Sequence, residues 1–472
     1  MLDIGIKKRT SEREKLKQAL NLLTTIENSI KIAFVLLICL STTTSYGQTD
    51  LKSLINYSLK HSHDIKKSDL QYKEATYQQK EAIGKGLPQI EGKADYSKMF
   101  ISIDLPESMY QMVGPDYAPL LDQIANMDAI YMSSIGAQVT QLIYSQSYIE
   151  GLKTVKKTKE LYQTLKAKTE EEVIEEVANN YYQLLALYLQ LETVDKSLVN
   201  LDKMYQIVNL SYENDLIVKT DVNRLKVNIT NLEVTKQTLQ NSIDLQLNYT
   251  KALAGMPSDT ILKVDTAFIA RNLELRQHGF NAFSAEQVPA FQALLKQDDI
   301  YKQQVKLAQA EYYPTIAAYG QMNYSSYNTE AKIEKMRNMS TIGVQLKIPI
   351  FTSGVNHAKV QQKRVRELGL QEDILKNEKL LNINYQNAMM EYQSAHDLLA
   401  VQEENKKLAQ DVYNQMSLQF KEGVASMADL LNVNSDFLQA DNSYNQQLLK
   451  CKLSEIKVLK ATGTLKQLAN NK

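Results

Sequence analysis

From Ser147 to about Glu213 no proline interrupts the chain, and the only glycine, Gly151, stands in the first turn. Apolar residues recur every seven positions along this stretch. Val177, Leu184, Leu191, Leu198 and Tyr205 form one row; Leu187, Val194, Leu201 and Val208 form a second, three residues further on. Two rows at a mean spacing of about 3.5 residues keep one seam facing a partner, so the pattern predicts a helix of coiled-coil type. At about 1.5 Å per residue it would run about 100 Å. Such a helix needs neighbours of similar length, and the rest of the chain should supply them.

Upstream, residues 50 to 86 read as helical: a short element carrying Leu51, Leu54, Ile55 and Leu59, then a Gln- and Lys-rich one ending at Gly84 and Gly86. After Pro88 the period changes to two. Ile90, Gly92, Ala94 and Tyr96 alternate with Glu91, Lys93, Asp95 and Ser97, which predicts a strand over about 88–104. Residues 105 to 131 read as a loop with one helical turn. A second strand, about 132–146, follows, with Ile135, Ala137, Val139 and Ile143 on one face. The same programme then recurs. Leu87-Pro88-Gln-Ile90 returns as Tyr313-Pro314-Thr-Ile316, and Ser133 to Val139 returns as Ser340 to Leu346. Tyr212 to Val222 returns 208 positions on as Phe420 to Leu430, so that Asp221 matches Asp429. The expected organisation is a first repeat over 48–256, with helices about 147–213 and 220–255, and a linker over 257–283. The second repeat, 284–472, has strands about 314–327 and 340–351 and helices about 353–422 and 426–462.

Composition fits a few very long elements, because 472 residues contain only 16 Gly and 8 Pro. With 54 basic and 54 acidic side chains there is no charge excess to favour a nucleic acid. The apolar run Ile32 to Leu40, after Lys31, is too short to span a bilayer, which takes about 20 residues. It suits the core of a secretory signal, with Ser45 and Gly47 at a cleavage site. Residues 1–47 are therefore expected to be a signal peptide with a long n-region. Cys39 lies inside the apolar core, which disfavours a lipoprotein reading, and its expected removal with the signal leaves Cys451 without an intramolecular partner.

The strand Ile342, Val344, Leu346, Ile348, Ile350 sets five large apolar residues on one face, against Gly343, Gln345, Lys347 and Pro349 on the other. Four strands are too few to close a transmembrane barrel, for which the smallest number is about eight. Closure then requires several copies, with these isoleucines, Val344 and Leu346 facing lipid. Tyr96, Tyr144, Tyr319 and Tyr324 could form an interfacial belt, or could be ordinary strand tyrosines.

At this point the sequence resembles the TolC-type outer membrane efflux proteins over its whole mature length. The resemblance rests on the duplicated strand–helix programme, on Leu87-Pro88 and Tyr313-Pro314, and on Ile348 to Gly354. It rests most on the turn Phe420-Lys-Glu-Gly-Val-Ala-Ser-Met-Ala-Asp-Leu-Leu-Asn432 and the closing Leu459-Lys-Ala-Thr-Gly-Thr-Leu465. It implies a mainly α protein with a membrane β-barrel: a homotrimer of four strands per chain, hence 12 strands, on a tunnel of antiparallel coiled-coil helices. The implied location is the outer membrane with a long periplasmic extension. The implied role is the exit duct of a tripartite efflux pump, docked to a periplasmic adaptor and through it to an inner-membrane pump or ABC exporter. The exit duct of a type I protein secretion system is the alternative within the class, and an exported coiled-coil scaffold the alternative outside it.

No catalytic motif is present, and no cofactor is called for. The five histidines, His61, His63, His278, His357 and His396, show no metal-ligand spacing. Two turns remain as candidates. Leu216-Ile217-Val218 and Gly423-Val424-Ala425-Ser426 are apolar where a solvated turn should be polar, so they either staple their helix pairs or form adaptor-docking tips. Asp221 and Asp429 begin the returning helices. Ser426-x-x-Asp429 has the form of a capping box, while the resemblance implies a periplasmic gate at Thr220, Asp221, Phe420, Asp429 and Asn432. In the family a second acidic residue stands where this chain has Asn432, and a tyrosine and an arginine that hold the closed state are replaced by Phe420 and Ala425. The closed gate is expected to be held differently here.

Overall fold

A computed structural model describes residues 50–101, 104–125, 129–262, 264, 280 and 282–470. The expected signal segment, Cys39, His278 and most of the expected 257–283 linker lie outside the described residues. The elements below belong to one folded unit, residues 50–260 and 266–472.

Asp50 caps α1 (Leu51–His61), accepting from the Ser53 N–H at 3.0 Å, and Ser62 caps α2 (His63–Gly84). The first strand, β1 (Gln89–Phe100), follows Pro88. The segment expected as a loop with one turn contains two short helices, α3 (Glu107–Val113) and α4 (Ala118–Ala125), separated by Gly114 and Pro115. Then come β2 (Ala129–Ser145) and α5 (Gln146–Glu213), a 68-residue helix whose first turn is capped by Ser145. Helix α6 (Lys219–Ala254) returns. After a 3-10 turn at Ala285–Gln287 the second half supplies α7 (Pro289–Ala310), β3 (Thr315–Asn328), β4 (Arg337–Lys347), α8 (Val355–Lys421), α9 (Met427–Ala461) and α10 (Gln467–Asn470).

The seven-residue rows of α5 do find partners, and the partners change along its length. Residues 150 to 166 pack on α2 and α7, marked by the Lys166–Asp69, Lys157–Asp299 and Lys296–Glu160 ion pairs. From Glu175 onward α6 and α9 take over, marked by Lys460–Glu175 and Lys236–Asp195. Val194, Leu201, Met204 and Val208 of α5 share a core with Val222, Leu225 and Leu232 of α6 and Met427 and Leu430 of α9. Helix α8 is covered likewise, by α7 near Lys359 and Lys363 and by α9 from Glu391 on.

Glycine makes the joint where one short helix ends against the start of another. Gly255 and Gly463 close α6 and α9 with φ of 69° and 67°. Their neighbours Met256 and Thr464 donate back to Lys251 and Leu459 at 2.9 Å, the helix-terminating pattern that needs a left-handed residue. A Cβ on Gly255 would lie 2.3 Å from the His61 carbonyl oxygen, and one on Gly463 the same distance from that of Gln287. Only glycine satisfies both the dihedral and the approach.

The four strands form one antiparallel sheet in the order β1-β2-β3-β4. The register sets Ile90 beside Val139, Ile135 beside Tyr324, Ala318 beside Val344 and Gly320 beside Ile342. One face is therefore a continuous apolar surface across all four strands. Glu91, Gln138, Gln321 and Thr341 occupy matching positions on the other face. Two details depart from the sequence-based expectation. The ladder stops at Lys347, paired to Thr315, because Pro314 lies before β3 with no N–H to give; Ile348 and Ile350 thus fall outside the strand. Tyr319 lies on the polar face, folded over Gly343, so it is not part of an apolar-face belt.

Candidate functional site

The two turns that reverse the long helices are built alike. In the first, Leu216 N–H donates to the Ser211 carbonyl at 2.9 Å; in the second, Val424 N–H donates to the Gln419 carbonyl at 2.9 Å. Each has a left-handed residue just before it, Gly423 at φ 77° and Asp215 at φ 58°. The first turn thus places a non-glycine residue where L-residues are disfavoured by about 1–2 kcal/mol, a cost Asp tolerates better than most.

The helix starts differ. Ser426 and Asp429 form a full capping box: Asp429 N–H donates to Ser426 Oγ at 3.2 Å, and Ser426 N–H to Asp429 Oδ2 at 3.3 Å. At the matching place in α6, Val218 stands at the cap with no side-chain bond, and Asp221 faces Arg224 at 3.8 Å. Asp221 is half-buried and Asp429 exposed, at the start of helices that share the core of Val222, Leu225, Met427 and Leu430. Phe420 packs against this core with Tyr413, and Thr220 and Asn432 lie open to solvent.

The apolar tip residues divide by position. Ile217 packs on the core and staples the hairpin. Leu216 and Val424, at equivalent places in the two turns, are each 76% exposed, and Val218 is exposed too. Ala425 is half-buried, while Gly423 and Ser426 are exposed.

The sheet has its own uncovered surfaces. Ile342 is 92% exposed, and Ile90, Ile135, Val344 and Leu346 on the same face are exposed as well. Ile348 and Ile350, beyond the strand, are also exposed. Strands β1 and β4 each carry one unpaired edge.

Residues that sequence reading passed over sit inside the helix seams. On α9, Met427, Leu430, Asn434, Phe437, Asp441, Tyr444, Leu448 and Cys451 follow an unbroken 3-4 spacing. Two of the eight are polar, a signal that was available in the sequence. Asp441 is 3% exposed and meets Lys406 Nζ at 2.6 Å. Glu171 on α5 is 7% exposed, between Glu170, paired to Lys466, and Glu175, paired to Lys460. Burial pushes its carboxyl up to about 7, against the pull of those two lysines. Of the histidines, His61 ends α1 stacked on Tyr57, whereas His63 opens α2. No group of three or more His, Cys, Asp or Glu among the described residues could hold a metal.

Comparison with known proteins places this geometry. The sequence profile of the family "Outer membrane efflux protein" matches residues 284–464, nearly the whole second repeat. "Outer membrane protein TolC" of Vibrio cholerae is 20% identical over 346 residues, 71% of this chain and 77% of its own length. Among solved structures, the Campylobacter jejuni CmeC outer membrane channel superposes with a TM-score of 0.70 at 14% identity, over 88% of this chain and 85% of its own. The Vibrio cholerae outer membrane protein VceC gives 0.65 at 17% identity, over 88% and 96%. The structures speak to the fold and the profile to the family. The second repeat thus matches the outer membrane efflux protein family, and the chain as a whole has the fold of the outer membrane channels CmeC and VceC.

Proposed function

We propose that three copies of the chain close a 12-stranded barrel and together form the exit duct of a tripartite pump, passing small molecules from an inner-membrane transporter to the exterior. The observation that carries this reading is the sheet: an apolar face continuous over four strands, a polar face behind it, and two free edges of opposite strand direction. In water that face would be a large uncovered patch. In a bilayer it is a lipid-facing band, and pairing β4 of one copy with β1 of the next removes every edge. The polar face would then line the pore, and the helices below it would continue the conduit.

The exposed Leu216 and Val424, with Val218, Ala425 and Ser426 beside them, suit docking of a periplasmic adaptor, through which the pump is reached. Asp221 and Asp429, with Thr220, Phe420 and Asn432, are positioned to line a narrow periplasmic entrance. Energy and substrate choice rest with the pump. Native mass analysis of protein extracted from outer membranes in detergent tests the assembly: three copies are expected, and a water-soluble monomer or dimer absent from the membrane would refute it.

A further inference from the structure

We propose that Met99 and Met132 of one copy and Met339 of the next form a soft-metal site at the outer mouth of the duct, a cluster of thioethers that takes Cu(I) or Ag(I). This rests on the duct reading above. Eight of the 15 methionines fall within two short stretches, 99–132 and 322–339. Both stretches border the end of the sheet away from the helices, where β1 turns into β2 and β3 into β4. Met99 is 47% exposed, Met339 60%, and Met132 is half-buried. The register sets Met132 between Ser97 and Tyr327, and Met339 beside Asn323, all on the polar face of the sheet.

The skew of the sheet fixes how two copies meet. Gln89, the first residue of β1, lies level with Gly343, four residues short of the end of β4 at Lys347. Arg337, the first residue of β4, lies level with Asp95, five residues short of Phe100. Strand ends that share a membrane plane are brought level when β4 of one copy pairs with β1 of the next end to end, 337–347 against 89–99. This pairing also keeps polar-face residues opposite polar-face residues. Four residues of about 3.3 Å over four strand spacings of about 4.8 Å give a tilt of about 35°, as closed barrels require. Met339 then falls opposite Ser97, whose other neighbour is Met132, and Met99 lies two residues along β1 on the same face.

Two strand spacings of about 4.8 Å separate Met132 from Met339 across Ser97. Two thioether arms reaching over so small a residue leave room for one ion between their sulfurs. Met99 supplies a third sulfur from the diagonal position, a distance that long side chains bridge. Thioether sulfur is a soft ligand that selects Cu(I) over hard cations such as Mg2+ and Ca2+. Ile130 beside Met99 and Tyr327 beside Met132 wall the cluster with apolar surface. Arg337 falls opposite Met99 and opposes a cation there, but residues 101–128 carry five carboxylates and no basic side chain, so the mouth as a whole draws cations. Along β1 this face otherwise reads Glu91, Lys93, Asp95, Ser97, and an exposed methionine next in the row buries little surface of its own chain. A ligand explains its place better than folding does.

The test is native mass analysis of the Cys451→Ala chain, extracted from outer membranes in detergent and titrated with Ag(I), which reads copy number and bound ions together. That background has no thiol once the expected signal, with Cys39, is removed. A trimer with one silver ion per copy is expected. Met99→Leu, Met132→Leu and Met339→Leu nearly conserve side-chain volume. Each should weaken silver binding about tenfold or more. Met322→Leu, on the lipid-facing side of β3, should leave it unchanged. A trimer that takes no silver, that keeps it in Met339→Leu, or that loses it equally in Met322→Leu would overturn the site and leave the duct reading standing. Protein that forms no trimer would overturn the duct reading and the site with it.

Discussion

Replacing Glu171 by Gln should stabilise the helical part of the protein, and only at the alkaline end of the pH range. The carboxyl is 7% exposed at the point where α5 exchanges α2 and α7 for α6 and α9, and its proton is held with a pKa of about 7 against an ordinary 4.5. Burial is the largest cause; Glu175 and Glu172 add to it, and Lys466 and Lys460 oppose it. A raised carboxyl pKa means that the folded chain keeps a proton the unfolded chain releases. Stability therefore falls as pH rises from 4.5 toward 7 and stays low above. The full shift corresponds to about 3 kcal/mol as a ceiling, and the part developed between pH 5 and 8.5 to about 2.5 kcal/mol. Gln mimics the protonated side chain and removes this dependence. The melting temperature of Glu171→Gln in detergent should exceed that of the wild type by a few degrees at pH 8.5, and the gap should close toward pH 5. A difference independent of pH would refute the reasoning, because it would mean that Lys460 and Lys466 keep Glu171 charged throughout.

Four further outcomes follow from the geometry. Leu216→Glu with Val424→Glu should abolish export while the mass of the assembly stays unchanged, since both side chains already face solvent; normal export would remove the docking role. Val344→Lys should cut the yield of membrane-assembled protein, at about 2–4 kcal/mol for a cation near the middle of a lipid face, whereas Gln345→Lys on the opposite face should assemble normally. Gly463→Ala should cost at least about 2 kcal/mol, read as a lower melting temperature, because a Cβ there meets the Gln287 carbonyl and the φ is left-handed. Asp429→Asn keeps an acceptor for the cap but removes charge from the proposed entrance, so cation selectivity in single-channel recordings should fall with little change in melting temperature.

The long helices, the four strands and their duplication were legible because each rests on a period that runs for many residues. Where a single contact decides, the pattern is silent. The apolar alternation of Ile348 and Ile350 does not show that the ladder ends at Lys347; that follows from Pro314, which lies just before β3. The alternation around Tyr319 fixes its face only once the register with Gly343 is known. The split of Leu216, Ile217 and Val218 into exposed, stapled and exposed depends on how the turn meets the core. Asn434 and Asp441 were legible in principle, as polar residues on an otherwise apolar 3-4 row, but their meaning needed Thr193 and Lys406 from two other helices.

The duplication also offers an internal control on the tips. The two turns share three backbone hydrogen bonds to within 0.2 Å, yet almost everything that stabilises a helix end differs between them. Gly423 is matched by a strained Asp215, and the capping Ser426 by Val218, which cannot cap. A Ser at 218 would restore the box with Asp221, and a capping side chain is worth about 1 kcal/mol. What both copies keep is a large apolar residue at the apex, Leu216 and Val424, each 76% exposed. Folding has no use for side chains so placed, since they bury little surface in the chain itself. Two copies of one turn that differ in their stabilising residues but agree in an exposed apolar apex are better explained by a contact made at the apex than by the stability of the hairpin.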